Sequence, residues 1–263
     1  MLREKPSIPK PWRGRGFISK TSLCQVYDLG TVDYEKALQL QNKLVSARIA
    51  AEIPDTILFL QHPSVLTIGV SGNEEGIVAS RDLLAQERIA TFHIDRGGGI
   101  TYHGPGQLVG YPIIDLRTKG IGPTQYVRHL EEVIIRALAT FSITANRDPE
   151  YPGVWVGQDE ICALGIRVIH WVTMHGFALN VNTDLKYFTY ITPCGITDRQ
   201  VTSMSQLLAH DITLENVISC IIEQWAQVFN MKIRQESAEE LLRYVRQTSG
   251  VDDKKGSIHI HHC

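Results

Sequence analysis

The chain has 263 residues, of which 43% are hydrophobic and 21% are charged, a composition typical of a globular protein with a sizeable core. Its 26 basic and 28 acidic side chains give a formal net charge of −2, so no overall positive field attracts nucleic acid or an anionic membrane. No stretch reaches the roughly 18 apolar residues that a membrane-spanning helix needs. We therefore expect no nucleic acid and no membrane among the partners.

The cysteines exclude two further classes of protein. The chain contains five of them, an odd number, scattered without a pair at the two-residue spacing of structural zinc sites. This pattern argues against a disulfide framework, predicts no metal site, and favours a reducing, cytoplasmic location. The five are Cys24, Cys162, Cys194, Cys220 and Cys263.

The first half of the chain alternates helix and strand patterns. Residues 1–23 are rich in proline and basic side chains and are expected to form a flexible arm. Asp33 then predicts the start of a helix, because apolar residues follow it at helical spacing. The stretch DTILFLQHPSVLTIGV predicts two strands interrupted at His62-Pro63, and RIATFHID predicts a strand that leads into a glycine-rich segment.

The second half repeats this mixture. The stretch QLVGYPIIDL predicts a strand, and Gly122-Pro123-Thr124 opens a helix with an apolar stripe and a Glu132–Arg136 pair. Strands are predicted within residues 154–182, and helices over TLENVISCIIEQWAQVF and SAEELLRYVRQT. Because strands and helices alternate without a strict βαβ rhythm, we expect an α/β (α+β) fold with a mixed sheet flanked by helices.

Three segments make up the predicted organisation. The arm of residues 1–23 precedes a single domain over residues 24–248, and a polar tail covers residues 249–263. The tail ends in histidines and a cysteine that could bind a metal, but a frayed terminus is the simpler interpretation.

The glycine-rich segment DRGGGITYHGPGQ is the first candidate functional site. Three successive glycines let the backbone approach a ligand closely, and the following Gly-Pro-Gly turn presents Tyr102 and His103. The segment lacks the Gly-Lys-Ser/Thr of a phosphate-binding P-loop, and it continues as a strand instead of the helix of a dinucleotide site. We expect a ligand-binding surface loop that holds Arg96, Tyr102 and His103 together.

Cys194 is the second candidate. It lies between Pro193 and Gly195, outside any apolar periodicity, and is therefore the cysteine expected to be exposed. Cys220 falls on the apolar stripe of a predicted helix and Cys162 lies in a predicted strand, so both are expected to be structural. An exposed thiolate can act as a nucleophile.

Several motifs together resemble one family. RGGGITYHGPGQLVGYPI, ALGIRV, HGFALNVNTDL and PCGI…VTSMSQ follow one another as in the lipoyl(octanoyl) transferases, and DLGTVDYEKALQLQ and HPSVLTIG upstream are also similar to that family. The resemblance runs from about Val26 to about Met231. It implies the α/β fold that these enzymes share with lipoate and biotin protein ligases.

The resemblance also implies an activity, its partners and its site. The expected reaction moves an octanoyl group from octanoyl-acyl carrier protein to a lysine of lipoyl domains, in 2-oxoacid dehydrogenase E2 subunits and the glycine cleavage H protein, without ATP or another cofactor. Cys194 is the implied nucleophile, which carries the group as a thioester. The implied acyl site consists of Arg96, Gly97, Gly98, Gly99, Ile100, Thr101, Tyr102 and His103, completed by Ala163, Leu164, Gly165, Gly176, Phe177 and Ala178.

One position departs from the family pattern. In the family that the chain resembles, a lysine that activates the cysteine stands immediately before the strand that reads ICALGIRV here. The present chain has Glu160 at that position. A carboxylate beside a thiol disfavours the thiolate, so the electrostatic effect is reversed. Three explanations are open: His103 or His175 activates Cys194 with help from Glu160, the change inactivates the enzyme, or Glu160 faces away. Each histidine could also be a hydrogen-bonded core residue.

Two other functions remain as alternatives. An ATP-dependent lipoate or biotin ligase would share the fold and a glycine-rich loop, but it would need a lysine where this chain has none. An inactive acyl-binding pseudoenzyme would account for Glu160. The Gly-Pro-Gly-Gln motif and Cys194 favour the transferase.

Overall fold

The computed structural model describes residues 22–192 and 199–249. Cys194 and most of the predicted arm and tail lie outside these ranges. The strands are β1 (Ser22–Thr31), β2 (Asp55–Gln61), β3 (Val65–Ile68), β4 (Ala90–His93), β5 (Ile100–His103), β6 (Gln107–Ile113), β7 (Asn146–Arg147), β8 (Gly153–Val156), β9 (Asp159–Ile169), β10 (Val172–Asn180) and β11 (Met231–Glu236). The helices are α1 (Tyr34–Ile49), α2 (Arg81–Gln86), α3 (Leu116–Lys119), α4 (Pro123–Thr140), α5 (Met204–Leu208), α6 (Leu214–Val228) and α7 (Ala238–Ser249), with 3₁₀ helices at Glu74–Gly76 and Leu185–Tyr190.

The strands form a large and a small sheet. The large sheet has the order β11-β1-β2-β6-β10-β9-β8-β7, and the small sheet has the order β4-β3-β5. Both are mixed: β1 runs parallel to β2 and β11, and β3 runs parallel to β4, while the other neighbours are antiparallel. The predicted mixed sheet flanked by helices is confirmed.

Strand β2 shows why the large sheet is covered on both faces. Successive side chains of a strand point to opposite faces, so Ile57 and Phe59 pack on one side and Leu58 and Leu60 on the other. All four are at most 1% exposed. A continuous apolar run of this kind is typical of a central strand with helices on both sides.

Apolar helix faces cover those two sides. Helices α4 and α6 pack on the Ile57 side, where Trp225 of α6 is fully buried, and α1 packs on the Leu58 side. A third cluster joins the small sheet to the 3₁₀ helix Leu185–Tyr190. No helix in the described ranges is long and apolar enough to cross a membrane.

The elements predicted from periodicity are present. The two strands predicted around His62-Pro63 are β2 and β3, which belong to different sheets. One expectation needs correction. The predicted glycine-rich surface loop contains strand β5, whose backbone pairs with β3. Periodicity did not indicate β5 because four residues with glycines before and after them carry too short a pattern.

A cluster of buried charges fixes the start of β2. Asp55 is 2% exposed and binds Arg48 of α1 and Lys119 of α3, both at 2.9 Å between nitrogen and oxygen. Its Oδ1 also accepts a hydrogen bond from the backbone N–H of Asp115, whose own carboxylate binds Arg117 at 2.8 Å. Burial raises the pKa of Asp115, but the hydrogen bonds and charge of Arg117 outweigh burial, so the pKa is lower than usual. These charges connect one helix on each side of the strand.

Replacing Asp55 by alanine should destabilise the fold strongly. The substitution leaves Arg48 and Lys119 without their shared buried carboxylate, a change that typically costs about 3–5 kcal/mol. Chemical denaturation would measure it. Lys36→Ala, which breaks the exposed Asp33–Lys36 pair, is the control and should cost less than about 1 kcal/mol. Equal losses in both variants would show that the buried cluster contributes no more than a surface pair.

Candidate active site

A cavity lies where the small sheet meets the large one. Its volume is about 270 Å³, and its wall comes from the start of α1, the glycine-rich segment, β5, β6, β9 and β10. Most of the wall is apolar, but it also contains titratable side chains: Arg96, His103, Glu160, His175, Tyr34, Tyr111 and Tyr151. The cavity therefore combines an apolar slot with a group of titratable side chains.

Most of the residues expected at the site line this cavity. Two of them do not. Gly99 is buried outside the wall and accepts a hydrogen bond from Gly69 through its carbonyl. Tyr102 points into the core, where its ring stacks on Tyr187 with centroids 4.9 Å apart and its hydroxyl lies 3.0 Å from that of Ser64. The expected residues that line the cavity are Arg96, Gly97, Gly98, Ile100, Thr101, His103, Glu160, Ala163, Leu164, Gly165, His175, Gly176, Phe177 and Ala178.

The alternation of side chains along a strand explains why Tyr102 does not reach the cavity. Because residues 100–103 form a strand, neighbouring side chains point to opposite faces. Thr101 and His103 face the cavity, and Tyr102, which is 1% exposed, faces the opposite way. The prediction that a surface loop presents Tyr102 and His103 together was wrong.

Arg96 explains the glycines around it. Its guanidinium donates to the carbonyl and the hydroxyl of Thr67, both at 2.9 Å, and to the Gly97 carbonyl at 3.0 Å. A Cβ at Gly69 would lie 2.9 Å from its Nη1, and a Cβ at Gly165 would lie 2.8 Å from its Cδ. Gly98 adopts a φ of +87°, which residues with a side chain rarely adopt. The glycines leave room for a buried arginine.

His103 belongs to a chain of hydrogen bonds. Its Nδ1–H donates to Gln107 Oε1 at 2.8 Å, and its Nε2 lies 3.4 Å from the Thr67 hydroxyl, which also accepts from Arg96. Gln107 continues the chain to Asn180 at 3.0 Å. Burial, together with His62, Arg96 and other neighbours, lowers the pKa of His103 to about 3. The ring is neutral, and both nitrogens are engaged within the protein.

His175 has a different environment. Its Nε2 lies 3.0 Å from Asp95 Oδ1, and Asp95 also forms an ion pair with Arg167. Burial and the charges of Arg96 and Arg167 lower its pKa to about 4, so this ring is also neutral. Within residues 22–192 and 199–249, no hydrogen bond or ion pair joins either histidine to Glu160. The carboxylate beside His175 is Asp95, which the sequence did not suggest.

Glu160 faces the cavity. Its side chain is half-buried and lines the cavity. Its Oε1 lies close to Gly153, because a Cβ added to that glycine would be only 2.8 Å from Oε1. Burial raises the pKa of Glu160 to about 7, against the opposing effect of Arg96. The explanation that Glu160 faces away from Cys194 stays a prediction, because Cys194 lies outside the described residues. A carboxyl group with this pKa is present in both protonation states near neutral pH.

The sequence analysis did not predict several other residues in and around the cavity wall. His62 is fully buried below the wall, where its Nδ1–H donates to the Val32 carbonyl at 2.6 Å and its Nε2 lies 2.8 Å from the Tyr111 hydroxyl. Long-range packing brings these residues together, so local patterns did not indicate them. Lining residues that were not predicted are Tyr34, Val109, Tyr111, Val127, Tyr151, Pro152, Trp155 and Ile166.

The segment that contains Cys194, residues 193–198, lies outside the described residues, but its two flanks are fixed. Before it, the Thr192 N–H donates to the Gly76 carbonyl at 2.8 Å. After it, the Gln200 carbonyl accepts from the Glu160 N–H, and the Thr202 N–H donates to the Glu160 carbonyl, both at 2.9 Å. Glu160 therefore lies beside the chain where it leaves this segment. The described part of the chain contains no group of three metal-ligating side chains arranged to hold an ion.

Comparison with known proteins identifies the family. Residues 33–226 match the model of the lipoyl protein ligase A/B catalytic domain. The chain belongs to this family. An octanoyltransferase from Caldicellulosiruptor saccharolyticus is 47% identical over 220 residues, which cover 83% of this chain and 94% of that protein. An octanoyltransferase from Alkaliphilus metalliredigens is 45% identical and covers 79% and 96%.

Solved structures of lipoyl protein ligases share the fold. A bipartite lipoate protein ligase from Thermoplasma acidophilum is 16% identical, with a TM-score of 0.66 over 86% of this chain and 92% of that one. Lipoate-protein ligase A bound with ATP is 16% identical, with a TM-score of 0.63 over 86% and 94%. These similarities confirm the predicted ligase-like fold.

The buried histidines should make the fold sensitive to acid. The folded-state pKa is lowered to about 4 for His62, about 3 for His103 and about 4 for His175, against about 6.5 in an unfolded chain. Between these values the unfolded state binds more protons, so the free energy of unfolding falls as pH falls. Glu160, whose pKa is raised, opposes part of this loss.

Urea denaturation between about pH 7 and pH 4.5 would measure how the free energy of unfolding depends on pH. Each histidine contributes a slope of at most about 1.4 kcal/mol per pH unit. His62→Gln removes one titrating group and should reduce the slope. A slope that is unchanged in His62→Gln would contradict a neutral, buried His62.

Gly165 should tolerate alanine far less well than its neighbour Gly97. A Cβ at Gly165 meets the Arg96 Cδ at 2.8 Å and the Gly97 carbonyl at 2.9 Å, whereas a Cβ at Gly97 has ordinary contact with the Ile166 carbonyl at 3.5 Å. Overpacking of this kind costs about 1–3 kcal/mol. Thermal or chemical unfolding of Gly165→Ala and Gly97→Ala would test the difference. Equal stabilities would show that Arg96 moves aside at no cost.

Proposed function

We propose that the chain is an octanoyltransferase that moves an octanoyl group from octanoyl-acyl carrier protein to a lysine of a lipoyl domain. The observation that carries the proposal is the identity of 47% and 41% to the octanoyltransferases from Caldicellulosiruptor saccharolyticus and Acidobacterium capsulatum, over 94% and 89% of their length. The solved ligases, at 15–17% identity, support the fold and leave the reaction open. Sequence identity therefore favours the transferase over an ATP-dependent ligase.

The proposal includes the partners that the sequence suggested. The donor is octanoyl-acyl carrier protein, and the acceptors are lipoyl domains of 2-oxoacid dehydrogenase E2 subunits and the glycine cleavage H protein. The acyltransferase domain runs from residue 24 to residue 248, and the proposed location is the cytoplasm. Neither ATP nor another cofactor takes part, because a thioester donor already supplies an activated acyl group.

The cavity suits a short acyl chain. Its volume of about 270 Å³ is near the lower limit of roughly 300 Å³ for small-molecule sites. Val109, Leu164 and Phe177 supply apolar side chains, and Gly176 and Ala178 leave space between them. We place the hydrocarbon chain against these residues and its carbonyl group toward the titratable side chains.

Cys194 is the proposed nucleophile. Its sulfur attacks the donor thioester, the bond from the acyl carbon to the donor sulfur breaks, and the acyl group stays on Cys194 as a new thioester. The thiol proton leaves Cys194 and reaches the departing donor sulfur. In the second half-reaction the lysine nitrogen attacks the acyl carbon, an amide forms, and Cys194 is released as a thiol.

Glu160 is the proposed proton carrier of the first half-reaction. A pKa of about 7 suits a group that gains and loses a proton near neutral pH. When the carboxylate takes the thiol proton, one negative charge moves from Glu160 to sulfur, so the pair carries a single negative charge before and after. A fixed carboxylate would oppose the thiolate, whereas one that becomes protonated does not. This role replaces the idea that Glu160 inactivates the enzyme or charges a histidine.

Intact-protein mass spectrometry after incubation with octanoyl-acyl carrier protein tests the proposal. The unmodified sequence should gain one octanoyl group, and Cys194→Ala should gain none. Glu160→Gln should be acylated more slowly by about a hundredfold, because an amide cannot accept the proton. The wild-type rate should rise with pH through about 7 as Glu160 ionises, and the variant should lose this step.

Parallel incubations with octanoate and ATP identify the ligase alternative. Formation of octanoyl adenylate in these samples, with no adduct from the carrier protein, would contradict the transferase. Glu160→Lys provides a further comparison. Acylation of that variant alone would show that Glu160 is an inactivating change.

A further inference from the structure

The contact between Asp95 and His175 fixes which nitrogen of the imidazole carries a proton. A carboxylate can only accept hydrogen bonds, so at 3.0 Å the Nε2 of His175 must donate to Asp95 Oδ1. In a neutral ring the other nitrogen, Nδ1, is then an acceptor. No described residue forms a hydrogen bond with Nδ1. The cavity wall thus contains an imidazole with one lone pair available.

The backbone of His175 is held in an unusual conformation. Its φ is +56° in the middle of β10, a value that residues other than glycine seldom adopt within a strand. Its backbone N–H donates to the side-chain carbonyl of Gln41, on α1, at 2.8 Å. Strained residues of this kind cluster at functional sites, where the surrounding structure maintains them. Gln41 therefore holds the backbone of His175, and Asp95 holds its ring.

The pair joins the cavity wall to an exposed side chain. The His175 side chain is 2% exposed and lines the cavity, whereas the Asp95 side chain is 48% exposed and the Arg167 side chain that binds it is 41% exposed. A lysine of another protein has to come from solvent. Asp95 thus connects a histidine of the cavity wall to the solvent side of the protein.

We propose that Asp95 is a positioning residue that orients His175 to take the proton from the acceptor lysine. The inference rests on the proposed octanoyltransferase activity and concerns its second half-reaction. The lysine ammonium gives one proton to His175 Nδ1, and the resulting amine attacks the acyl carbon. The carbon–sulfur bond breaks, the thiolate takes a second proton from the nitrogen, and His175 releases its own proton to solvent.

The surroundings of the ring agree with this role. The charged and titratable groups that face it are Asp95, Arg96, Arg167, His103 and Tyr111. Burial, more than the nearby arginines, keeps the ring neutral before the reaction, and a neutral ring is the form that can accept a proton. Asp95 stabilises the imidazolium that forms when the proton arrives.

The test separates the two half-reactions. Enzyme is first loaded with octanoyl from octanoyl-acyl carrier protein, and the loaded protein is then mixed with excess lipoyl domain at several pH values from about 4, the pKa of His175, up to about 8. Asp95→Ala should slow the transfer to lysine by about a hundredfold and change its pH profile, while the loading step keeps its rate. Asp95→Asn should also be slow, because the amide nitrogen can hold the ring in the other tautomer.

Arg167→Gln is the matched control. It removes the other partner of Asp95 and leaves the contact between Asp95 and His175, so its transfer rate should stay near that of the wild type. Nitrogen-15 NMR of labelled histidine measures the tautomer of His175 directly, with His175→Gln to assign the signal. Nδ1 should appear as an unprotonated nitrogen in the wild type, and this signal should change in Asp95→Ala.

The inference fails if Asp95→Ala transfers octanoyl at the wild-type rate and pH profile, or if Arg167→Gln is equally slow. It also fails if the NMR signals place the proton on Nδ1. Failure of the wild type to accept octanoyl in the loading step is a different result, because it would contradict the proposed function itself and this inference with it.

Discussion

The guanidinium of Arg96 is buried beside the cavity, and the chemistry of the other side chains depends on its charge. It is held by Thr67 and the Gly97 carbonyl. Its positive charge disfavours protonation of His103 and His175, and it lowers the pKa of Glu160, which burial alone would raise further. Burial is the larger cause of the lowered pKa of both imidazoles, and this one cation adds to it, while it opposes the effect of burial on Glu160.

This arrangement gives similar groups different tasks. His103 uses both ring nitrogens inside the protein, whereas His175 contacts Asp95 through Nε2 and has no hydrogen bond from Nδ1 to a described residue. Glu160 exchanges protons near pH 7, whereas Asp95, at the surface, is a partner for His175 and Arg167. Environments that give titratable groups of one site very different pKa values are a common basis for acid and base roles in enzymes. The glycine-rich segment serves this arrangement by making room for Arg96.

The family resemblance, and not a local pattern, brought residues 163–165 and 176–178 together as an expected acyl site. The structure places them on the wall of one cavity, in the adjacent strands β9 and β10, where their small residues leave space at matching positions. Their role in binding an acyl group stays a prediction. Tyr102 could not be placed, since its direction depends on whether residues 100–103 form a strand. The contact between Asp95 and His175 joins residues 80 positions apart, so only the paired sheets bring them together. The family lysine position led to Glu160, but its pKa depends on burial that no local pattern contains.

Part of the cavity wall is backbone, and this has an evolutionary consequence. At Gly165 and Gly176 the wall consists of main-chain atoms, and a Cβ at Gly176 would lie 2.2 Å from the Gly110 carbonyl oxygen. Mutation at Gly165 or Gly176 adds atoms that collide with Arg96 or with the Gly110 backbone, so these two positions cannot vary unless their neighbours move. Evolution of the cavity's shape would have to act through side chains that can be trimmed, such as Leu164 and Phe177. In descendants of this protein, the side-chain part of the wall is therefore freer to change than the backbone part.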